Sequence, residues 1–154
     1  MKKMMLFLLP VILFAASSAP RESPEKPTKN FNSGFDAQNA GNFEEAIQFY
    51  KKAIEEKSDD ADAWNNMGYC YRMVAKANLS ESGDAYAKAL AIDPSHKQAL
   101  EYQGEYFVMV GQLMSAYRNY EALKKVDSDE AAKVQSKLNG VLLEAQAVLK
   151  NYTP

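Results

Sequence analysis

Residues 64–71 read Trp-Asn-Asn-Met-Gly-Tyr-Cys-Tyr, and the glycine near their centre recurs along the chain. Gly34, Gly68 and Gly104 are separated by 34 and 36 residues. Three tyrosines recur at a similar spacing, namely Tyr50, Tyr86 and Tyr120. Self-similarity with a period of this length is the signature of a repeat architecture. The sequence therefore predicts one structural unit that occurs three times.

Each unit pairs a small residue with an aromatic one, as two crossing helices require. A glycine in the first helix lets the second helix approach closely. The tyrosine of the second helix then fills the space between them. In two units an alanine follows that tyrosine after three residues, at Ala53 and Ala89. We therefore expect each unit to be a pair of packed helices.

The second unit, from Trp64 through Tyr86 and Ala89 to Asp93-Pro94, resembles the tetratricopeptide repeat. The likeness recurs in the other two units and covers about residues 28–129. It implies an all-α fold, a right-handed α-solenoid of three helix-turn-helix repeats plus a C-terminal capping helix. The expected repeats are about 27–60, 61–96 and 97–130, within a domain of residues 30–150.

The segment beyond Asp129 has apolar residues at helical spacing and is expected to form the capping helix, residues 131–150. Ser128 is expected to cap its first turn, where Asp129 and Glu130 interact favourably with the helix dipole. A terminal repeat exposes an apolar face that must be covered. We therefore interpret this helix as structural.

The first residues have the pattern of a secretory signal peptide, expected over residues 1–19. Lys2 and Lys3 precede an apolar run, and small residues follow it. Because the run is shorter than the roughly 20 residues that span a bilayer, we favour a cleaved signal over an anchor and expect no membrane insertion after cleavage. We expect export to the periplasm, with secretion as the alternative. Residues 20–29, rich in proline and charge, are expected to form a disordered linker.

The composition suits a single domain without a nucleic-acid surface. The chain has 154 residues, of which 47% are hydrophobic and 25% are charged. Removal of Lys2 and Lys3 with the signal leaves 16 basic against 20 acidic side chains. The basic residues form no cluster that could bind phosphates. The only cysteine, Cys70, is expected to be buried, with pairing between two chains as the alternative.

The resemblance also implies where a partner would bind. In such repeats the first helix of each pair lines a concave groove, which holds protein or peptide partners. The residues that correspond to this face are Phe31, Phe35, Gln38, Asn65, Tyr69, Arg72, Glu101, Glu105 and Val108. Gln135 and Asn139 of the last helix are expected to close the groove. The alternative is a solvated helix face without a ligand.

Some members of this family bind acidic C-terminal tails through a clamp of Lys, Asn and Arg side chains. In this chain the places of the basic clamp residues hold Phe31, Gln98 and Tyr102, and only Asn66 matches the clamp. The resemblance therefore does not imply an acidic-tail partner.

The chain lacks the residue sets of common catalytic and metal sites. His96 is the single histidine, and one His with one Cys cannot assemble the usual nucleophile and base pairs or zinc ligand sets. His96 itself is expected to cap a helix or to be solvated. The acidic clusters 59–62 and 127–130 fall where helices begin, so we interpret them as caps rather than as a calcium site. We expect no enzyme activity, no cofactor and no metal.

Two functions are compatible with these features. The first is a non-catalytic scaffold or adaptor of the cell envelope or periplasm that binds a partner segment in its groove. The second is a self-associating structural protein, suggested by the apolar residues Phe31, Phe35 and Phe43 in a first repeat without a capping helix. Trp64, at the junction of the first two repeats, is expected to contribute about 3–5 kcal/mol to folding stability.

Overall fold

The computed structural model describes residues 26–74 and 78–150, although of residues 142 and 144–150 it describes the backbone only. Within these residues the chain forms α-helices and no strand. The helices are α1 (Lys29–Asn39), α2 (Phe43–Glu56), α3 (Ala61–Val74), α4 (Leu79–Ile92), α5 (Lys97–Met109), α6 (Leu113–Val126) and α7 (Ser128–Lys150). No helix in this part of the chain is both long and apolar enough to cross a membrane.

Three helix pairs and a terminal helix stack in chain order. The pairs are α1 with α2, α3 with α4 and α5 with α6, and each second helix also packs on the first helix of the next pair. The last helix, α7, packs on both α5 and α6. This arrangement confirms the predicted right-handed α-solenoid of three repeats with a C-terminal capping helix.

The N-terminal boundary differs slightly from its prediction. The expected signal peptide, and the expected linker as far as residue 25, lie outside the described residues. The linker was predicted to end at residue 29, but α1 already begins at Lys29. The reason is Thr28, whose Oγ1 accepts a hydrogen bond from the Phe31 N–H at 3.1 Å and so caps the helix.

Each first helix has a cap at the corresponding place. Asp60 Oδ1 accepts from the Ala63 N–H at 2.9 Å, and His96 Nδ1 accepts from the Ala99 N–H at 3.2 Å. The predicted capping role of His96 is therefore confirmed. The turns from α1 to α2 and from α5 to α6 also close alike, because Gly41 and Gly111 take positive φ values of 79° and 75°.

The start of α7 corrects the prediction for Ser128. The helix begins at Ser128 itself, three residues before the expected residue 131. Its cap is Asp127, whose Oδ1 accepts from the Asp129 N–H at 3.1 Å and from the Glu130 N–H at 3.2 Å. A carboxylate one residue earlier in the chain thus performs the role that was expected of the serine.

The close helix crossings follow the prediction in two repeats and depart from it in the third. A Cβ placed on Gly34 would lie 2.9 Å from the Tyr50 ring, and one on Gly68 would lie 2.9 Å from the Tyr86 ring. At Gly104 the nearest atom, at 3.0 Å, belongs to Val134. The capping helix, rather than the expected tyrosine of α6, makes the closest approach there.

The core consists of two clusters. The first joins α1 to α4 through Ala37, Ala46, Ile47, Tyr50, Met67, Cys70 and Ala85. The second joins α5, α6 and α7 through Leu100, Ala116, Tyr120, Leu123, Ala131, Val134 and Leu138. Because three buried residues of α7 belong to the second cluster, its capping role is built into the core.

Two residues singled out from the sequence lie in or beside the first cluster. Cys70 is a free thiol with no exposed surface, which agrees with the expected burial. Trp64 packs on the cluster but is only half-buried, and its Nε1 donates to the Ser58 carbonyl at 3.0 Å. Because part of the ring stays in water, the effect of its removal should lie near the lower end of the expected range.

Candidate functional site

The first helices of the three repeats are neighbours and share one face. α3 contacts α1 on one side and α5 on the other, and α5 in turn contacts α7. We call the face shared by α1, α3 and α5 the groove. The residues predicted for the concave side are distributed over these three helices, so the structure decides which of them reach the surface.

On α1, Phe35 is the most exposed residue of the predicted set, with 45% of its surface accessible to solvent. Phe31 is half-buried and packs its ring edge-on against Tyr50, with ring centroids 5.7 Å apart. Gln38 is occupied inside the protein, because its Oε1 accepts from the Tyr50 hydroxyl at 3.0 Å and from Cys70 Sγ at 3.4 Å. Of the three predicted residues of α1, Phe35 is therefore the most exposed.

Asn65 lies beneath the groove rather than on it. Its side chain has no exposed surface, and its Nδ2 donates to Asn66 Oδ1 at 3.2 Å. Within the described part of the chain, Asn65 Oδ1 has no hydrogen-bond partner. The expected contact between Asn65 and a partner would need this residue to leave the core, whereas its neighbour Asn66 is partly exposed.

At the centre of the groove a cation contacts two neighbouring aromatic rings. Arg72 Cζ lies 5.1 Å from the centroid of the Tyr102 ring and 5.7 Å from that of Tyr69. The centroids of these two rings are 5.6 Å apart. Only 11% of the Arg72 side chain is exposed, and cation–π contacts strengthen as the cation loses water. We call Tyr69, Arg72 and Tyr102 the aromatic–arginine cluster.

Glu105 connects this cluster to the capping helix. Its Oε2 lies 2.7 Å from Arg72 Nη1, and its Oε1 accepts from Lys137 Nζ of α7. Burial opposes the charge of Glu105, but the hydrogen bonds from Lys137 and Arg72 outweigh it and hold the pKa of this carboxyl below its usual range. The predicted residues Arg72 and Glu105 thus bind each other, which the sequence did not indicate.

Glu101, one turn earlier on α5, has a longer contact with its cation than Glu105 has. Its carboxylate lies 3.9 Å from Lys133 Nζ, while the same ammonium is 2.5 Å from Glu130. Burial, reinforced by the nearby Glu130, raises the pKa of Glu101. Val108 is half-buried and packs against the second core cluster.

Two methionines that the sequence analysis did not include add apolar surface beside the groove. Met73 is 47% exposed and Met109 is 54% exposed. They follow Tyr69 and Glu105 by four residues, so each shares a helix face with a predicted groove residue. That spacing was the signal by which they could have been found.

Gln135 and Asn139 do not close the groove as expected. They line a separate cavity of about 240 Å³ between α6 and α7, together with Leu113, Met114, Tyr117, Tyr120 and Leu138. Met114 and Tyr117 there are 69% and 50% exposed. The capping helix therefore turns its amide side chains toward α6, and the groove ends instead at Lys133 and Lys137.

The histidine and the acidic clusters serve the helix ends. Besides capping α5, His96 places Nε2 2.9 Å from Asp62 Oδ1, and this hydrogen bond lowers the pKa of Asp62. In residues 26–74 and 78–150, no group of three or more His, Cys, Asp and Glu side chains is placed to hold a metal ion. His96 thus connects the first turn of α3 to the first turn of α5.

Comparison with known proteins gives family matches over the first two repeats. One family model, described as TPR repeat, matches residues 39–73, and another, described as tetratricopeptide repeat, matches residues 61–96. The photosystem I assembly protein Ycf3 of Prochlorococcus marinus strain MIT 9301 is 30% identical over 142 residues, covering 84% of this chain and 78% of that protein. Its namesake from strain MIT 9215 is 28% identical over 137 residues, with the same shares of both chains covered.

Solved structures share the fold. The second TPR domain of human RPAP3, in complex with the HSP70 peptide SGPTIEEVD, has a TM-score of 0.65 and 21% identity, covering 74% of this chain and 98% of that one. The type III secretion chaperone SycD of Yersinia enterocolitica, in complex with a peptide of the translocator YopD, has a TM-score of 0.67 and 14% identity, covering 75% and 92%. At these identities the likeness shows the fold alone.

Proposed function

Because the chain belongs to the tetratricopeptide repeat family, we propose that it is a non-catalytic adaptor that binds a segment of another protein in the groove of α1, α3 and α5. The observation that carries this proposal is the aromatic surface of the groove. Phe35 is 45% exposed, and the aromatic–arginine cluster supplies rings held in place by the buried guanidinium. A rigid aromatic surface loses little conformational entropy when a partner binds.

The similar proteins support binding without naming a partner. The structural neighbours from human and Yersinia hold peptides, and the curated relative is named for the assembly of photosystem I. The peptides and photosystem I are partners of those proteins, and none of them is assigned to this chain. What carries over to this chain is the class of activity, the recognition of a polypeptide segment by stacked helix pairs.

We also propose that the adaptor works outside the cytoplasm, in the periplasm or after secretion. This rests on the signal pattern of residues 1–19, with Lys2 and Lys3 before an apolar run. The test is the intact mass of the protein recovered from fractionated host cells. A mature chain that has lost these residues and lies in the exported fraction is expected, and an unprocessed chain in the cytoplasm would contradict export.

The binding proposal is tested by photo-crosslinking in the native host. A benzophenone amino acid replaces Phe35 in one variant and Tyr117 in a matched control, because both are exposed aromatic residues, at 45% and 50%, on different faces of the solenoid. We expect one dominant foreign protein to be captured from position 35 and not from position 117. Capture from position 117 alone would place the binding surface on α6 instead.

A second candidate function, self-association, is favoured by the surface between α6 and α7. Met114 and Tyr117 border that cavity and are 69% and 50% exposed. This places the apolar surface at the last repeat, in addition to the first repeat considered from the sequence. Light scattering at high concentration tests it: a dimer abolished by Tyr117→Lys would support self-association, and a strict monomer would reject it.

A further inference from the structure

We infer that the groove accepts an uncharged segment with large apolar side chains, and that Glu105 is the residue that excludes acidic segments. This inference rests on the proposed function and specifies the partner of the same groove. The fold of the family does not determine whether such a groove binds an acidic or an uncharged segment.

The groove already contains a binding site for a carboxylate, and a side chain of the protein itself occupies it. Arg72 Nη1 contacts one oxygen of Glu105 at 2.7 Å, and Lys137 Nζ contacts the other. Two cations that hold the two oxygens of one carboxylate are what an acidic partner would need. Glu105 is therefore an internal substitute for a partner's carboxylate.

This internal ligand is covalently part of the chain and therefore does not dissociate on dilution. Glu105 is attached to α5, and only 14% of its side chain is exposed, so its carboxylate stays beside both cations. A tethered group competes with an effective concentration on the order of millimolar or more. An acidic segment of ordinary affinity would have to displace it.

Among the described residues, the ion pairs at this end of the groove leave no surplus positive charge. Arg72, Lys133 and Lys137 are matched by the carboxylates of Glu101, Glu105 and Glu130. An incoming carboxylate would meet Glu101 and Glu105, and like charges brought together at an interface are repelled. The balanced charges therefore disfavour the approach of an acidic partner, even before that partner displaces Glu105.

Three large apolar side chains on or beside the groove are accessible. Phe35, Met73 and Met109 are 45%, 47% and 54% exposed, and methionine adapts its shape to varied apolar partners. An uncharged segment can bury these side chains without disturbing the ion pairs. The exposed apolar side chains and the paired charges therefore fit an uncharged partner segment with apolar side chains.

The experiment measures peptide affinity by fluorescence polarisation with the full mature chain. One probe is the acidic peptide SGPTIEEVD, and the other is its neutral version, in which Gln and Asn replace the acidic residues and the C-terminus is amidated. The variants are Glu105→Gln, the double variant Arg72→Gln with Glu105→Gln, and Glu81→Gln. Glu81 is an exposed residue of α4 and controls for the change in net charge.

We expect the wild type to bind the neutral peptide more tightly than the acidic one. Glu105→Gln should raise the affinity for the acidic peptide about tenfold, since it frees two charge-assisted hydrogen bonds. The double variant should lose this gain, and Glu81→Gln should change the affinity by less than about twofold. High salt should reduce the gain, because screening weakens the attraction to the freed cations.

Three results would overturn the inference: a wild type that prefers the acidic peptide, a Glu105→Gln variant without a gain, or an equal gain in Glu81→Gln. If wild-type binding to both peptides is too weak to measure, the difference between Glu105→Gln and wild type decides. Should Glu105→Gln fail to fold, the wild-type preference decides. Failure of the host crosslinking from position 35 would reject the proposed adaptor but would leave these affinities unchanged, so the two failures are distinguishable.

Discussion

Glu101 and Glu105 lie one turn apart on α5, yet their surroundings shift their pKa values in opposite directions. Burial raises the pKa of Glu101, while hydrogen bonds from Lys137 and Arg72 lower that of Glu105 against the effect of burial. A lowered pKa in the folded state contributes stability above the unfolded pKa, and this stability is lost as pH falls through the folded pKa. For a raised pKa the contribution is present at low pH and is lost as pH rises.

We therefore predict opposite effects from two isosteric substitutions. Glu105→Gln should lower the free energy of unfolding at pH 7 by about 1–3 kcal/mol, because it weakens charge-assisted hydrogen bonds to two cations. Glu101→Gln should leave stability unchanged or raise it, since it removes a charge that burial disfavours. Urea unfolding at pH 7 and at pH 3.5 provides the measurement. The difference between wild type and Glu105→Gln should shrink at the lower pH, and a constant difference would contradict the assignment.

The glycines provide a second prediction at the same scale. Gly68→Ala should cost about 1–3 kcal/mol, because the new methyl group would lie 2.9 Å from the ring of the fully buried Tyr86. Gly140→Ala is the matched control within a helix, since nothing lies within 4 Å of its Cβ position. It should stabilise the protein by about 0.5–1 kcal/mol. Equal effects in urea unfolding would mean that the crossing at Gly68 is looser than described.

What the sequence could predict at this scale depended on the distance between contacting residues along the chain. The pairs Gly34 with Tyr50 and Gly68 with Tyr86 were predictable because both partners belong to one repeat and recur with it. The contact of Glu105 with Lys137 joins two helices whose relative rotation is set by packing. The burial of Asn65 has the same cause, because helical spacing identifies a face but not the depth of each residue on it.

At the scale of helices, the caps show how one residue shifts a boundary. The spacing of apolar, small and aromatic residues predicted each of the described helices. The position of the first turn of α7, however, depends on which side chain accepts from the free N–H groups. Asp127 accepts from two of them, at 3.1 and 3.2 Å. Both Asp127 and Ser128 are residues that favour this position, so composition alone could not choose between them.

The two cap assignments predict different mutational effects. Asp127→Ala should lower the urea midpoint clearly, because it leaves the Asp129 and Glu130 N–H groups without their acceptor and also removes the contact of Lys97 Nζ with Asp127 Oδ2 at 3.2 Å. Ser128→Ala should leave the midpoint nearly unchanged. The opposite ranking of the two variants would restore the assignment that was made from the sequence.

At the scale of the whole molecule, the division of the core into two clusters predicts that its two parts can open separately. One cluster joins α1 to α4, and the other joins α5 to α7. Stacked repeats contact only their neighbours, so stability is shared locally and is only partly coupled along the array. The fold class was predictable because repetition multiplies a weak local signal, whereas this division was not, since it depends on where α7 packs.

Val134→Ala should reveal that division. Val134 is fully buried in the second cluster and touches the position of Gly104, and its truncation should cost about 2 kcal/mol. Amide hydrogen exchange should accelerate in α5, α6 and α7 far more than in α1, α2 and α3. A uniform acceleration over all seven described helices would instead indicate a single cooperative unit.

The burial of Cys70 makes its thiol a chemical probe for the opening of this protein. Its thiol lies in the first cluster, donates to Gln38 of α1 and has its pKa raised to about 12 by burial. Alkylating reagents react with the thiolate, so the native protein is labelled only when the first cluster opens and exposes Cys70. Because the chain has a single cysteine, the rate of iodoacetamide labelling reports on the opening of this cluster alone, and a partner bound across α1 and α3 should slow the labelling.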